Sequence, residues 1–255
     1  MQLHIITCYY CSKKRSFLQL FYYTNHCIIN LVYHKEHQFM KATTKKKMTN
    51  FTLQHLIGLL IFISLTSIAA IIALNLTFTY PWISRHFELD IITGLDHATL
   101  LYNYRRIIHY TNLPWITTLY MPHFPMSDTG EFHFWEVKVI FQILQVISIL
   151  FVAWIVISIR KKWQFLKYFN ASANLTIIIF GIFLTIMLVD FSFFFYWFHR
   201  AFFNNDYWIF DARYDPIILA LPSELFMIKG FIITGLLFLV AIVTKVMFWM
   251  RLKKS

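Results

Sequence analysis

The chain has 255 residues, 58% of them apolar and 14% charged, with a formal net charge of +11. Soluble domains hold about 25% charged residues, so this composition excludes an ordinary soluble fold and indicates one membrane domain with ordered loops. Nucleic-acid binding is excluded by the charge distribution: residues 1–47 hold eight Lys and Arg against one Glu, and the remaining cations cluster beside apolar runs.

All three cysteines, Cys8, Cys11 and Cys27, fall in that first segment. Cys8-Tyr-Tyr-Cys11 has redox or metal spacing but lacks a second pair. The rest of the chain has neither a disulfide nor a thiol nucleophile to offer. Residues 1–47 read as an upstream extension. Met48 opens a conventional start, Met-Thr-Asn-Phe-Thr, ahead of the first span of a membrane domain 48–255.

Four apolar runs, 54–78, 137–159, 168–192 and 231–250, are long enough to cross about 30 Å of hydrocarbon at about 1.5 Å per helical residue. They are continuous rather than alternating, which selects helices over a barrel. The expected fold is an all-α polytopic membrane protein: four transmembrane helices and a small extracytoplasmic cap. Trp82, Trp135, Trp163, Trp197 and Trp249 fall near the expected interfaces. Ser67-Ile-Ala69 imitates a cleavage site, but the apolar run continues past Ala73, as in an uncleaved anchor. Lys41 and Lys45 to Lys47 precede the first run; Arg160, Lys161, Lys162 and Lys167 separate the second from the third; Arg251, Lys253 and Lys254 close the chain. The positive-inside rule then puts both termini and the 160–167 turn in the cytoplasm, and loops 79–136 and 198–230 outside.

In the first outer loop, residues 94–111 read as an amphipathic helix whose apolar face is Leu95, Leu100, Leu101, Tyr104, Ile107 and Ile108. Such a helix lies on the lipid surface or caps the bundle. Pro114, Pro122 and Pro125 break regular structure, Ser127-Asp-Thr-Gly130 reads as a turn, and a helix is expected from about Glu131 into the second span. The second outer loop is too polar for hydrocarbon and too aromatic for full solvation, and reads as a compact cap.

Two polar signatures stand where spans meet the outer face: Gly130-Glu-Phe-His-Phe-Trp-Glu-Val-Lys138 and Phe198-His-Arg-Ala-Phe-Phe203. His133 and Glu136, three apart, share a helix face. His199 and Arg200 leave the third span at a matching height. Taken singly, each histidine is accounted for as an interfacial side chain bonding lipid phosphate or backbone. Two of them converging beside charged partners favour a site. Asp190, after a long apolar stretch, is a functional candidate or a structural cap. Arg105 and Arg106 fit a solvated helix face. His86, His97, His109 and His123 carry no spacing signal. His133, Glu136 and His199 form an allowed metal-ligand set but lack a compact motif.

The segment from Pro122 to Lys138 resembles the first signature of a small bacterial four-span family that contains the lipoprotein intramolecular transacylase. Phe198-His-Arg-Ala-Phe-Phe203, with Trp208, Phe210, Asp215, Pro222, Glu224 and Phe226 beyond it, resembles the second. The likeness covers about residues 52–250. Glu136 stands where aspartate is expected, a change that keeps the charge. The resemblance implies that His133 and His199 are the catalytic pair, with Glu136, Arg200, Asp215, Glu224 and Asp190 in support. It implies an intramolecular reaction in which the sn-2 acyl chain of a diacylglyceryl-modified lipoprotein moves to the α-amino group of its own cysteine. Partners are then such lipoproteins and membrane lipids. No metal or other cofactor is required, because one acyl bond replaces another. The rival readings are a non-enzymatic lipid- or lipoprotein-binding membrane protein and a metal-dependent lipid hydrolase.

Overall fold

The computed structural model describes residues 17–158 and 165–254, and every regular element among them is helical. The chain divides into two compact units, Met1–Leu53 and Gln54–Ser255. The first is described from Phe17 onward as the leading part of helix α1 (Phe17–Asn75). There the Thr43 hydroxyl donates to the carbonyls of Phe39 and Met40. Cys8 and Cys11 lie outside the described residues, as do Arg160, Lys161 and Lys162 of the expected cytoplasmic turn.

The second unit continues α1 and adds α2 (Thr79–His86), α3 (Leu89–Thr93), α4 (His97–Asn112), α5 (Asp128–Ser158), α6 (Leu166–Val189), α7 (Phe191–Phe202), a 3-10 turn (Pro216–Ala220) and α8 (Ser223–Leu252). Four stretches are long and apolar enough to cross a membrane: Met48–Asn75, Asp128–Ile157, Leu166–Val189 and Ser223–Leu252. Helices satisfy their backbone polar groups internally, so such stretches tolerate hydrocarbon.

Three expected boundaries move. The second span begins at Asp128 instead of near Glu131 because Ser127 caps it, its hydroxyl accepting from Gly130 N at 3.1 Å. The third ends at Val189 because Asp190 is the N-cap of a separate helix, its carboxylate accepting from Phe193 N at 2.9 Å. The amphipathic helix begins later than expected. Gly94, at φ 71°, closes α3 in a left-handed conformation that glycine adopts without strain, and Asp96 caps α4 through Ala98 N and Thr99 N.

Within the membrane, α6 packs on α8. Where α1 passes α6, a Cβ on Gly58 would stand 2.7 Å from that of Ala171, so the crossing requires a residue without a side chain. The larger core gathers around α4, with Phe134 and Leu225 contributed by the first turns of α5 and α8. Leu100, Tyr104, Ile107 and Ile108 of α4 bury their shared face against Tyr80, Ile83, Phe124, Phe134, Ile217 and Leu225. That face is turned into the protein. Tyr80 stacks on Tyr104 at 4.2 Å and donates to the carbonyl of Ala220 at 2.9 Å. Lys138, buried, donates to the carbonyls of Leu113 and Ile116 and faces the Tyr110 ring at 4.3 Å. This ties the loop after α4 to α5. Lys229 likewise bonds Leu76 O at 2.8 Å and Thr79 Oγ1 at 3.0 Å, joining α8 to the exit of α1.

Candidate active site

The first turn of α5 is fixed from the far side of the cap. Asp215, buried, accepts from Ser127 N at 2.8 Å and from the Ser127 hydroxyl at 2.8 Å. Gly130 lies so close that an added Cβ would stand 2.3 Å from Asp215 Oδ1. One turn on, His133 is 7% exposed. Phe203 meets its ring edge-on at 4.7 Å and Phe210 at 5.6 Å.

The second histidine arrives on α7, directed by the Asp190 cap and a run of aromatic residues. The His199 ring lies 6.1 Å from that of His133, centre to centre. Trp208 stacks on it at 4.8 Å and Phe195 packs at 4.0 Å. His199 Nδ1 is 2.7 Å from the carbonyl oxygen of Phe195. A carbonyl only accepts, so Nδ1 carries the proton and Nε2 keeps the lone pair in the neutral ring. Burial among these rings holds the imidazole below its ordinary pKa, partly opposed by the Phe195 bond, so the neutral form prevails near neutrality.

Between α5 and the loop after α7 a carboxylate is held in place. Asn205 Oδ1 accepts from Tyr207 N at 3.0 Å, which orients the amide. Its Nδ2 therefore faces Glu136 and donates to Oε1 at 2.8 Å. The other oxygen, Oε2, is 3.8 Å from His133 Nδ1. Both of these atoms are buried and neither has a hydrogen-bond partner.

The structure thus brings together His133, His199 and Glu136 of the expected site. Asp215 stands behind them as the clamp on α5. Arg200 is drawn instead into an ion pair with Asp206, at 2.7 Å on the exposed side. Glu224 accepts from Ser223 at 3.1 Å in the first turn of α8, where a carboxylate complements the helix dipole. Asp190 is a helix cap. Asn205 and Ser127 had no functional reading from sequence. Their signal is a turn residue whose polar partner is 69 or 88 positions away. Among the described residues no group of three or more His, Cys, Asp or Glu is arranged to hold a metal ion.

Fold and site together define an all-helical integral membrane protein with one buried and one half-buried imidazole set among aromatic rings. Residues 53–226 match the family model described as lipoprotein intramolecular transacylase Lit, and the chain belongs to that family. It is similar to the solved membrane-integral lipoprotein intramolecular transacylase Lit of Bacillus cereus, with 26% identity, a TM-score of 0.70, and coverage of 80% of this chain and 97% of that one. A form of the same Bacillus cereus protein with one histidine replaced by arginine matches at 25% identity and a TM-score of 0.63, over 82% of this chain and 96% of that one. No curated protein matches by sequence.

Proposed function

We propose that this protein is a lipoprotein intramolecular transacylase acting at the outer face of a bacterial plasma membrane. It moves the sn-2 acyl chain of an S-diacylglyceryl cysteine to that cysteine's α-amino group and leaves a lyso-form lipoprotein. The observation that carries this reading is the meeting of His133 and His199, from α5 and α7, among packed aromatic rings. Family membership supports the acyl migration, and the clustering of Lys and Arg beside the opposite ends of the spans supports the outward orientation.

Proton accounting gives the two imidazoles separate work. The α-amino group, with a reference pKa of about 7.7–8.0, arrives mainly as an ammonium. It must lose one proton to become a nucleophile. It loses a second as the carbon–nitrogen bond forms, and that one goes to the glycerol oxygen as the ester bond breaks. His199, with its lone pair on Nε2, is the base that takes the second proton and returns it to the leaving oxygen. Because amine and ester belong to one molecule, orientation alone supplies up to about 7–11 kcal/mol in favourable cases. No acyl-enzyme intermediate is needed.

The test is a purified assay on a diacylglyceryl-lipopeptide with a free α-amine, read by tandem mass spectrometry. The expected product has the substrate's mass, one acyl chain on nitrogen and one on glycerol. Acetylating the amine stops the reaction. Release of free fatty acid, or turnover of the acetylated substrate, identifies a hydrolase and overturns the assignment.

A further inference from the structure

The unpartnered pair at the edge of the site, Glu136 Oε2 and His133 Nδ1, bears on how the substrate is seated. A buried polar atom without a partner costs about 1–3 kcal/mol, and more when charged, so two of them facing one another mark a place where a hydrogen-bonding group is missing. The gap is 3.8 Å, too long for a direct hydrogen bond. A nitrogen at about 2.8 Å from each atom bridges it with ordinary geometry. Both atoms act as acceptors in this arrangement: the carboxylate always, and the imidazole when its proton is on Nε2. The missing group is therefore a donor with at least two hydrogens. The net negative charge of the pair makes it a cation. Among the described residues no Lys or Arg forms an ion pair with Glu136. The nearest such cation on its own helix, Lys138, is committed to the carbonyls of Leu113 and Ile116. Asn205 holds Oε1 from behind and leaves Oε2 directed into the gap.

We propose that Glu136, braced by Asn205, is the seat of the substrate's α-ammonium, and that His133 Nδ1 receives the first, surplus proton there. This rests on the acyl-migration reading and deepens it. The ammonium N–H bond breaks toward His133 and leaves a neutral amine beside an imidazolium paired with the Glu136 carboxylate. The amine then attacks the ester carbon, and His199 carries the second proton from nitrogen to glycerol oxygen. The surplus proton leaves His133 for water after product departs, so the balance closes at one proton released per ammonium converted. Discrimination at this seat falls on charge: a cysteine whose amino group is blocked or absent meets a carboxylate with nothing to neutralise it.

Binding without turnover tests the seat. Full-length His199→Ala protein in lipid nanodiscs is titrated with two probes. One is a dipalmitoylglyceryl-cysteine peptide with a free amine; the other is its des-amino counterpart, with 3-mercaptopropionyl in place of cysteine. A charge-assisted hydrogen bond predicts a preference of about tenfold or more for the amine probe at neutral pH. Adding Glu136→Gln collapses that preference to within about twofold while leaving des-amino affinity unchanged, as expected for loss of one charged contact. Survival of the preference in Glu136→Gln overturns the proposal and leaves the carboxylate a positioning group for His133. So does its absence from His199→Ala alone. Should Glu136→Gln fail to fold, Glu136→Asp withdraws the carboxylate by one methylene and weakens the preference, whereas an unchanged preference overturns the seat. Wild-type turnover of the amine probe is followed alongside. Missing N-acyl product overturns the acyl-migration reading, and the binding preference is read independently of it.

Discussion

The cap and the membrane bundle solve opposite packing problems within one unit. In the cap, sixteen buried side chains form one cluster around α4, and Leu100, Tyr80 and Ile83 have no exposure. In the bundle, the buried cluster is Ala69, Phe180 and Leu237, and the most apolar stretch of α5 has no buried residue. A cap in water must remove apolar surface from its solvent to be stable. A bundle in lipid gains little by doing so, because hydrocarbon chains are as apolar as its side chains. Helix contact there relies on close approaches such as Gly58 on Ala171. The densely packed part of this protein is therefore the cluster around α4, and Phe134 in it follows His133 directly in α5.

The largest break in this comparison comes from the site itself. His133→Ala or His199→Ala should lower acyl migration by about 10²–10⁴-fold, well beyond any accompanying loss of folded protein. The double variant should cost little more than either alone, because the two act as a unit. Rates on the free-amine lipopeptide decide it, and a fully multiplicative double variant would show two independent sites.

Next in size is a contrast between the two solvents. Leu100→Ala in the cap core should cost about 2–5 kcal/mol. Val156→Ala, on the open flank of α5 and 63% exposed, should stay within about 0.5 kcal/mol. Thermal unfolding in nanodiscs ranks the pair, and equal losses would mean that the bundle, not the cap, limits stability.

The clamp sharpens the comparison further. Asp215→Asn weakens its bonds to Ser127 and should cost about 1–3 kcal/mol. Activity should fall more than stability, since α5 shifts His133. Gly130→Ala, which drives a methyl group into Asp215, should reproduce the phenotype. Activity that tracks folded fraction alone would reduce the clamp to a stability element.

The smallest effect is in pH. Burial lowers the His199 pKa below its unfolded value of 6.5, so the unfolded chain binds the proton first as pH falls. The stability that this neutral imidazole contributes is complete above pH 6.5 and is lost as pH drops from there toward the folded pKa. Wild-type melting temperature should therefore decline faster below pH 6.5 than that of His199→Gln. Parallel slopes would show the imidazole to be solvated.

How much of this is legible in the sequence follows from the range of the forces. The spans are continuous apolar runs, and the cap face of α4 repeats at helical spacing, so both are written locally. Their ends are less so: Asp190 lies inside an apolar stretch, and only the bond to Phe193 N shows it to be a break between α6 and α7. The two histidines stand out because His199 follows an aromatic run and His133 shares a helix face with Glu136 at the head of a span, and a likeness to family signatures singles out the same pair. Asn205 on Glu136 and Ser127 on Asp215 are set by tertiary geometry across 69 and 88 residues. Single hydrogen bonds at that separation leave no periodic trace. Arg200 shows the converse, a cation beside a candidate base whose short-range partner is Asp206.

The Asp215–Ser127 bond also has a meaning for biogenesis. A chain is made from its N-terminus, and α5 and α6 are both complete before Asp215 emerges. Until then the first turn of α5 has its local Ser127 cap but not its tertiary clamp, and closing so long a loop is slow relative to local helix formation. The nascent protein thus enters the bilayer with its two imidazoles unaligned. Assembly of the clamped first turn is deferred until the segment carrying Asp215 has been made, so a copy truncated or stalled before it holds α5 without that clamp.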